Sequence, residues 1–269
     1  MKRHELVAQI KAKKSFLCVG LDADIHKFPK HVLKEADPVF AFNREIIDAT
    51  ADLAVAYKPN LAFYESLGVR GWDSLQRTLE YIPAECFTIA DAKRGDIGNT
   101  ADMYARTFFK AYDFDSVTVN PYMGKDSVTP FLQYEGKWAI VLGLTSNAGA
   151  ADFQYFTNDE GTPLYKHAMQ KMASWGTPEN LMYVVGATRP AELGELRQLL
   201  PDHFFLVPGV GAQGGSLAEV FENGANADVG LLVNASRSIL YASSGTDFAA
   251  AARAEALRMQ QEMAALMGQ

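Results

Sequence analysis

The run CFTIADAKRGDIGNT, Cys86 to Thr100, passes from an apolar strand to an ionic cluster and on to a helix start. Phe87 to Ala90 is short and apolar-leaning, as expected of a strand covered on both faces. Asp91, Lys93, Arg94 and Asp96 follow at once, and Gly95 lets the chain turn. Asn99 or Thr100 can open the next helix. Side chains at i and i+2 share a face of a strand, so Asp91 and Lys93 are expected to project together, with Asp96 in the same cluster. Taken alone, D-x-K also suits a strand-end salt bridge worth about 0–1 kcal/mol.

Working outward, the same unit recurs along the chain. Apolar runs at 16–21, 55–58, 87–91, 116–120, 139–144, 182–186, 204–207 and 229–233 read as eight strands. Longer amphipathic segments separate them. Asp37-Pro38 reads as an N-cap with proline at the first helical position, opening a helix toward Asp52. Further helices are expected from Asn99 or Thr100 to Ala111, Lys125 to Tyr134, Thr162 to Ser174, Pro190 to Leu200, Ser216 to Asn223 and Thr246 to Met267. Eight β–α repeats without a linker imply a single (β/α)8 TIM barrel over residues 1–269, preceded by an amphipathic N-terminal helix.

Composition narrows the function. A chain of 269 residues with 48% hydrophobic and 21% charged residues is an ordinary globular protein. Its net charge of −7 argues against a nucleic-acid or anionic-membrane surface, which needs a broad basic face. An anionic ligand must therefore be held by a few local cations. Cys18 and Cys86 lie in apolar runs and read as reduced core residues, with no C-x-x-C for zinc or redox work. No signal-peptide h-region or membrane span is present, so a cytoplasmic location is expected. His4, His26, His31, His167 and His203 lack ligand spacing and are expected at the surface or in loops.

In a (β/α)8 barrel, chemistry gathers at the carboxyl ends of the strands. Those ends carry Asp22, Lys58, Asp91 with Lys93, Thr145-Ser146-Asn147, a loop from Pro208 to Gly215, and Asn234-Ala235-Ser236-Arg237. The loop contains a formal G-x-G-x-x-G at Gly209, Gly211 and Gly214. It follows the seventh strand and lacks the later acidic residue of a dinucleotide fold, so a phosphate cradle is the better reading. Gln213 and Arg237 can then grip phosphate oxygens beside Gly214. Asp22-Ala23-Asp24 invites a metal, but Lys58 puts a cation where a magnesium site wants a carboxylate. Asp24 reads as a loop cap.

Asp91-Ala92-Lys93-Arg94-Gly95-Asp96-Ile97-Gly98-Asn99-Thr100-Ala101 resembles the signature of the orotidine 5′-phosphate decarboxylases, in their bacterial subgroup with longer loops. The likeness extends to Gly20-Leu21-Asp22, Lys58-Pro59-Asn60, Asn120-Pro121-Tyr122-Met123-Gly124, the glycine loop and Arg237-Ser238-Ile239. It implies decarboxylation of orotidine 5′-phosphate to uridine 5′-phosphate without cofactor or metal. Lys93 would donate the proton to C6, Asp91 would lie beside the departing carboxylate, and Lys58 would bond Asp91 and the ribose. Asp22 would bind a ribose hydroxyl. Ser146 would contact the pyrimidine amide, with Thr145 and Asn147 as adjacent candidates, and Gln213 and Arg237 would hold the phosphate. Asp96 and Thr100 would cross a homodimer interface into the neighbour's site. A lysine held between carboxylates stays protonated, which suits Lys93 to stabilising negative charge and disfavours a Schiff base. Two rivals remain, a metal-dependent keto-sugar-phosphate decarboxylase or aldolase of the same superfamily and a non-catalytic sensor of nucleotide phosphates.

Overall fold

All eight apolar runs fold as strands. The computed structural model describes residues 1–211 and 214–268. Its strands are β1 (Leu17–Leu21), β2 (Ala56–Pro59), β3 (Phe87–Arg94), β4 (Ser116–Val119), β5 (Trp138–Leu144), β6 (Leu181–Val185), β7 (Phe204–Pro208) and β8 (Leu231–Ala235). They close into a barrel in chain order. Pairing is parallel, with Cys18 opposite Ala56, Ser116 opposite Trp138 and Met182 opposite Phe204. Residues of β1, β2, β4, β6 and β8 are buried throughout, which is why these strands read as unbroken apolar runs.

Two strands differ from expectation. β3 runs on to Arg94, so Asp91 and Lys93 lie within the strand, and Lys93 has a left-handed φ of 47°. β8 is displaced by two residues, because Val229 and Gly230 take φ values of 67° and 62° in a turn closed by Asn226. Among the helices, Val69–Tyr81 and Leu61–Glu65 between β2 and β3 were not expected. Val69–Tyr81 is preceded by Gly68 and has no side-chain cap to announce it. Residues 125–134 form two short 3₁₀ turns rather than an α-helix. The helix after β3 begins at Gly98 and continues past Arg106 through a π-helical turn, Thr107–Ala111.

Contacts divide the chain into two compact units. One comprises His4–Ala92 and everything from Asn234 on. Here Asp37 accepts a hydrogen bond from the Phe40 N–H at 3.0 Å, and Pro38 opens the helix Pro38–Thr50 as expected. The closing helix Phe248–Leu266 buries Phe248, whose ring stacks on Phe42 at 5.1 Å. Lys13 donates to the carbonyls of Ala51 and Ala54, at 2.7 and 2.8 Å, and to Cys86 Sγ at 3.4 Å. Cys18 and Cys86 are both buried and free.

The other unit comprises Met1–Arg3 and Lys93–Val233. It contains a buried guanidinium, Arg197, that donates to the carbonyls of Gly224, Leu200, Pro201, His203 and Gly230. Its charge lies 4.0 Å from the centre of the Phe205 ring. His203 lies outside helix and strand just before β7, as the loop reading expected, but not at the surface. It is buried, edge-on to Tyr183, and neither ring nitrogen has a hydrogen-bond partner among the described residues. The other four histidines are exposed.

Burial, reinforced by Arg197, pushes the His203 pKa down to about 4 from an ordinary 6.5. The unfolded chain therefore binds the extra proton, and stability is lost as pH falls from 6.5 toward 4. The loss attributable to His203 is at most roughly 3 kcal/mol. Urea unfolding at pH 7 and pH 5 should show a smaller acid loss in His203→Phe than in the parent chain. Equal losses would remove His203 as the cause.

Candidate active site

The first group of polar strand-end residues belongs to β1, β2, β3 and β8. Lys58 is buried at the end of β2, and its Nζ donates to Asp91 Oδ2 at 2.7 Å. Asp22 Oδ1 lies 4.0 Å from the same ammonium. Burial alone would lower the Lys58 pKa, but Asp91 and Asp22 outweigh it and the net shift is upward. Lys58 is therefore a fixed cation held by the carboxylates of Asp91 and Asp22, and its bond to Asp91 is the one the family resemblance implied.

Asp22 is positioned through its backbone. Tyr241 donates its hydroxyl hydrogen to the Asp22 carbonyl at 2.7 Å and accepts from the Asp24 N–H at 2.9 Å. Tyr64, held by Asn43, donates to the carbonyl of Leu21. Asp22 Oδ1 is buried without a hydrogen-bond partner among the described residues, so a carboxylate oxygen stands ready for a ligand hydroxyl. Asp24 caps the short 3₁₀ turn that follows, accepting from the His26 N–H, as the cap reading expected.

Beside this set, Cys18 and the strand-end residues Asn234 and Ser236 form a cluster whose contacts the sequence did not foretell. Burial pushes the Cys18 thiol up to about 12, with Lys58 pulling the other way. The protonated thiol donates toward Asn234 Oδ1 at 3.7 Å, and Asn234 Nδ2 donates to Ser236 Oγ at 3.3 Å. Ser236 can sit there only because residue 20 is glycine, where a Cβ would fall 1.9 Å from its Oγ. Arg237 begins the next short helix and is exposed.

The second group belongs to the unit containing residues 93–233. Lys93 is exposed whereas Asp91 is buried, and Lys93 takes a left-handed φ that departs from regular strand geometry. Its N–H donates to Thr118 Oγ1 at 2.8 Å, and the next carbonyl, of Arg94, accepts from the Asn120 N–H at 2.7 Å. Asp96 is half-buried and accepts from the Ile97 N–H, and Thr100 is exposed in the first turn of the following helix.

After β5, Thr145 donates to Asn147 Oδ1 at 2.6 Å, and Gln154 bonds both the N–H and the hydroxyl of Thr145. Thr145 and Asn147 thus shape the loop that follows β5. In the glycine loop, Gly209, Gly211 and Gly214 have φ values of 101°, 71° and 89°, a path open to glycine at low cost. The loop closes on itself through Gly211 N–H to the Gly215 carbonyl and Gly214 N–H to the Gly211 carbonyl. Gln213 lies outside the described residues.

A family model described as the orotidine 5′-phosphate decarboxylase / HUMPS family matches residues 15–254. The chain belongs to this family. It is similar to the orotidine 5′-phosphate decarboxylase of Bacteroides fragilis, 57% identical over 267 residues that cover 98% of this chain and 97% of the relative. It is 58% identical to that of Flavobacterium johnsoniae over 270 residues, 99% of this chain and 98% of the relative. Among solved structures, the OMP decarboxylase of Leishmania donovani is 37% identical, covers 100% of both chains and superimposes with a TM-score of 0.86. The family description joins two enzyme names, and the full-length relatives carry that of the orotidine 5′-phosphate decarboxylases.

Proposed function

We propose that this chain decarboxylates orotidine 5′-phosphate to uridine 5′-phosphate and carbon dioxide, the last step of UMP synthesis. The observation that carries the reading is the Asp22–Lys58–Asp91 set at the ends of β1, β2 and β3, with Lys58 and Asp91 buried. Loss of carbon dioxide leaves a carbanion in the plane of the pyrimidine ring, where the ring π system cannot delocalise it. Fixed charges must stabilise it instead. Lys93 supplies the cation and then the proton at C6. Asp91 stands beside the leaving carboxylate, and Lys58 holds Asp91 while reaching the ribose. Asp22, with its unpartnered oxygen, takes a ribose hydroxyl.

Ser146 contacts the pyrimidine amide, and Gln213, Gly214 and Arg237 hold the phosphate. Binding energy from the phosphate, which does not react, helps hold the charged groups in place. Residues 1–269 act as one catalytic domain in a cytoplasmic homodimer, with Asp96 and Thr100 serving the neighbouring site. Among the described residues, no helix is long and apolar enough to cross a membrane.

Purified protein given orotidine 5′-phosphate should bleach the orotate absorbance in the presence of a chelator. No turnover at neutral pH would sink the reading, and turnover restored only by a divalent cation would favour the metal-dependent alternative. Arg237→Ala should raise KM for the phosphorylated substrate by about 10-fold to 100-fold, the range of a lost charge-assisted contact. The same loss with orotidine, which lacks the phosphate, would contradict that role.

A further inference from the structure

We infer that Thr118 is a positioning residue for Lys93, setting through one hydrogen bond the backbone geometry from which the lysine reaches the reacting carbon. The inference rests on Lys93 acting as proposed above.

Among the described residues, Lys93 is one of four non-glycine residues with a positive φ, and it lies within β3 rather than in a turn between elements. A lysine in the left-handed region costs free energy, so surrounding bonds must hold it there. Thr118 Oγ1 accepts the Lys93 N–H at 2.8 Å. One residue further on, the Arg94 carbonyl accepts from the Asn120 N–H at 2.7 Å. The Arg94 guanidinium lies 5.5 Å from the ring centres of both Tyr104 and Phe108, tying the same segment to the helix Gly98–Arg106 and the turn after it.

Thr118 itself has no solvent role. It is 1% exposed in β4, between the buried Val117 and Val119. A valine would suit that strand position as well as threonine does. What valine cannot do is accept a hydrogen bond, and a buried hydroxyl is kept where it satisfies a partner. The bond fixes the plane of the peptide preceding the Lys93 Cα, and that plane sets the direction in which the side chain leaves the strand. Thr118 thus acts on the reaction through Lys93, and needs no contact with substrate.

Three variants test this: Thr118→Val removes the acceptor at nearly constant shape, Thr118→Ala removes it with less bulk, and Thr118→Ser keeps it. Thr118→Val and Thr118→Ala should lower kcat by about 10-fold to 100-fold, the scale of misplacing a reacting group by a fraction of an ångström to an ångström. KM and the affinity for uridine 5′-phosphate should stay within about threefold, because the phosphate grip is untouched. Thr118→Ser should recover most of the lost kcat. The inference is overturned if Thr118→Val or Thr118→Ala turns over like the parent chain. It is also overturned if Thr118→Ser falls as far as Thr118→Val, or if the loss only follows the folded fraction measured in the same samples. Lys93→Ala run beside them separates the two claims. If that variant still turns over, the reading of Lys93 fails; if it is inactive while Thr118→Val is unaffected, only the role of Thr118 fails.

Discussion

Lys93→Ala is expected to abolish measurable turnover while leaving the chain folded and able to bind uridine 5′-phosphate. Lys93 is exposed, so removing its side chain opens no cavity in the core. Alanine accepts the left-handed φ of 47° no worse than lysine does. The loss should therefore fall on the reaction. Removing a preorganised electrostatic group costs about 10²–10³ in rate, and removing a general acid about 10²–10⁴. A residue that does both should cost at least about 10³-fold in kcat, with little change in product affinity. Single-turnover absorbance of the orotate ring, with product binding by calorimetry, reads both quantities. Turnover within tenfold of the parent chain would remove Lys93 from the chemistry.

The strands were legible because burial on both faces leaves an apolar run, and every run but that of β3 lies within two residues of its strand. The departures have local causes. β3 outlasts its expected end at Asp91 by three residues, because the charges of Lys93 and Arg94 had signalled that end. β8 begins late because Val229 spends its apolar side chain in a left-handed turn. The helix Val69–Tyr81 went unread because it starts without a capping side chain.

Within the site, residue types at strand ends were visible, and the family resemblance supplied the Lys58–Asp91 pair that the structure shows at 2.7 Å. Spacing along β3 suggested that Asp91 and Lys93 share a face, and Lys93 adds a left-handed φ of 47° that spacing does not announce. Lys58 comes from another strand, a juxtaposition no local window contains. Asn234, Ser236 and Thr118 carry no charge and sit among apolar neighbours, so their tasks emerge only from distances. His203 is a parallel case, since nothing in its sequence neighbourhood announces that this loop histidine is buried.

Lys58→Met should be the most destabilising single change in the site. Methionine fills much the same volume, so packing is largely kept and the electrostatic effect is isolated. What it leaves behind is Asp91, 8% exposed, without the ammonium that lay 2.7 Å away, and Asp22 without the same cation. Leaving a buried charge uncompensated costs about 3–5 kcal/mol. In the parent chain the raised Lys58 pKa means that its contribution is complete below the ordinary value of 10.5 and fades only as pH rises through the higher folded value. The acid side behaves differently in the variant. A buried carboxylate that has lost this ammonium is driven toward its neutral form, so the deficit should shrink as pH falls and Asp91 takes up a proton. Urea midpoints from pH 5 to 9 should show that narrowing, and Lys58→Met combined with Asp91→Asn should recover much of the stability while remaining inactive. A pH-independent deficit unrelieved by the second change would mean that Lys58 stabilises the barrel by packing, and that its ion pair with Asp91 serves catalysis alone.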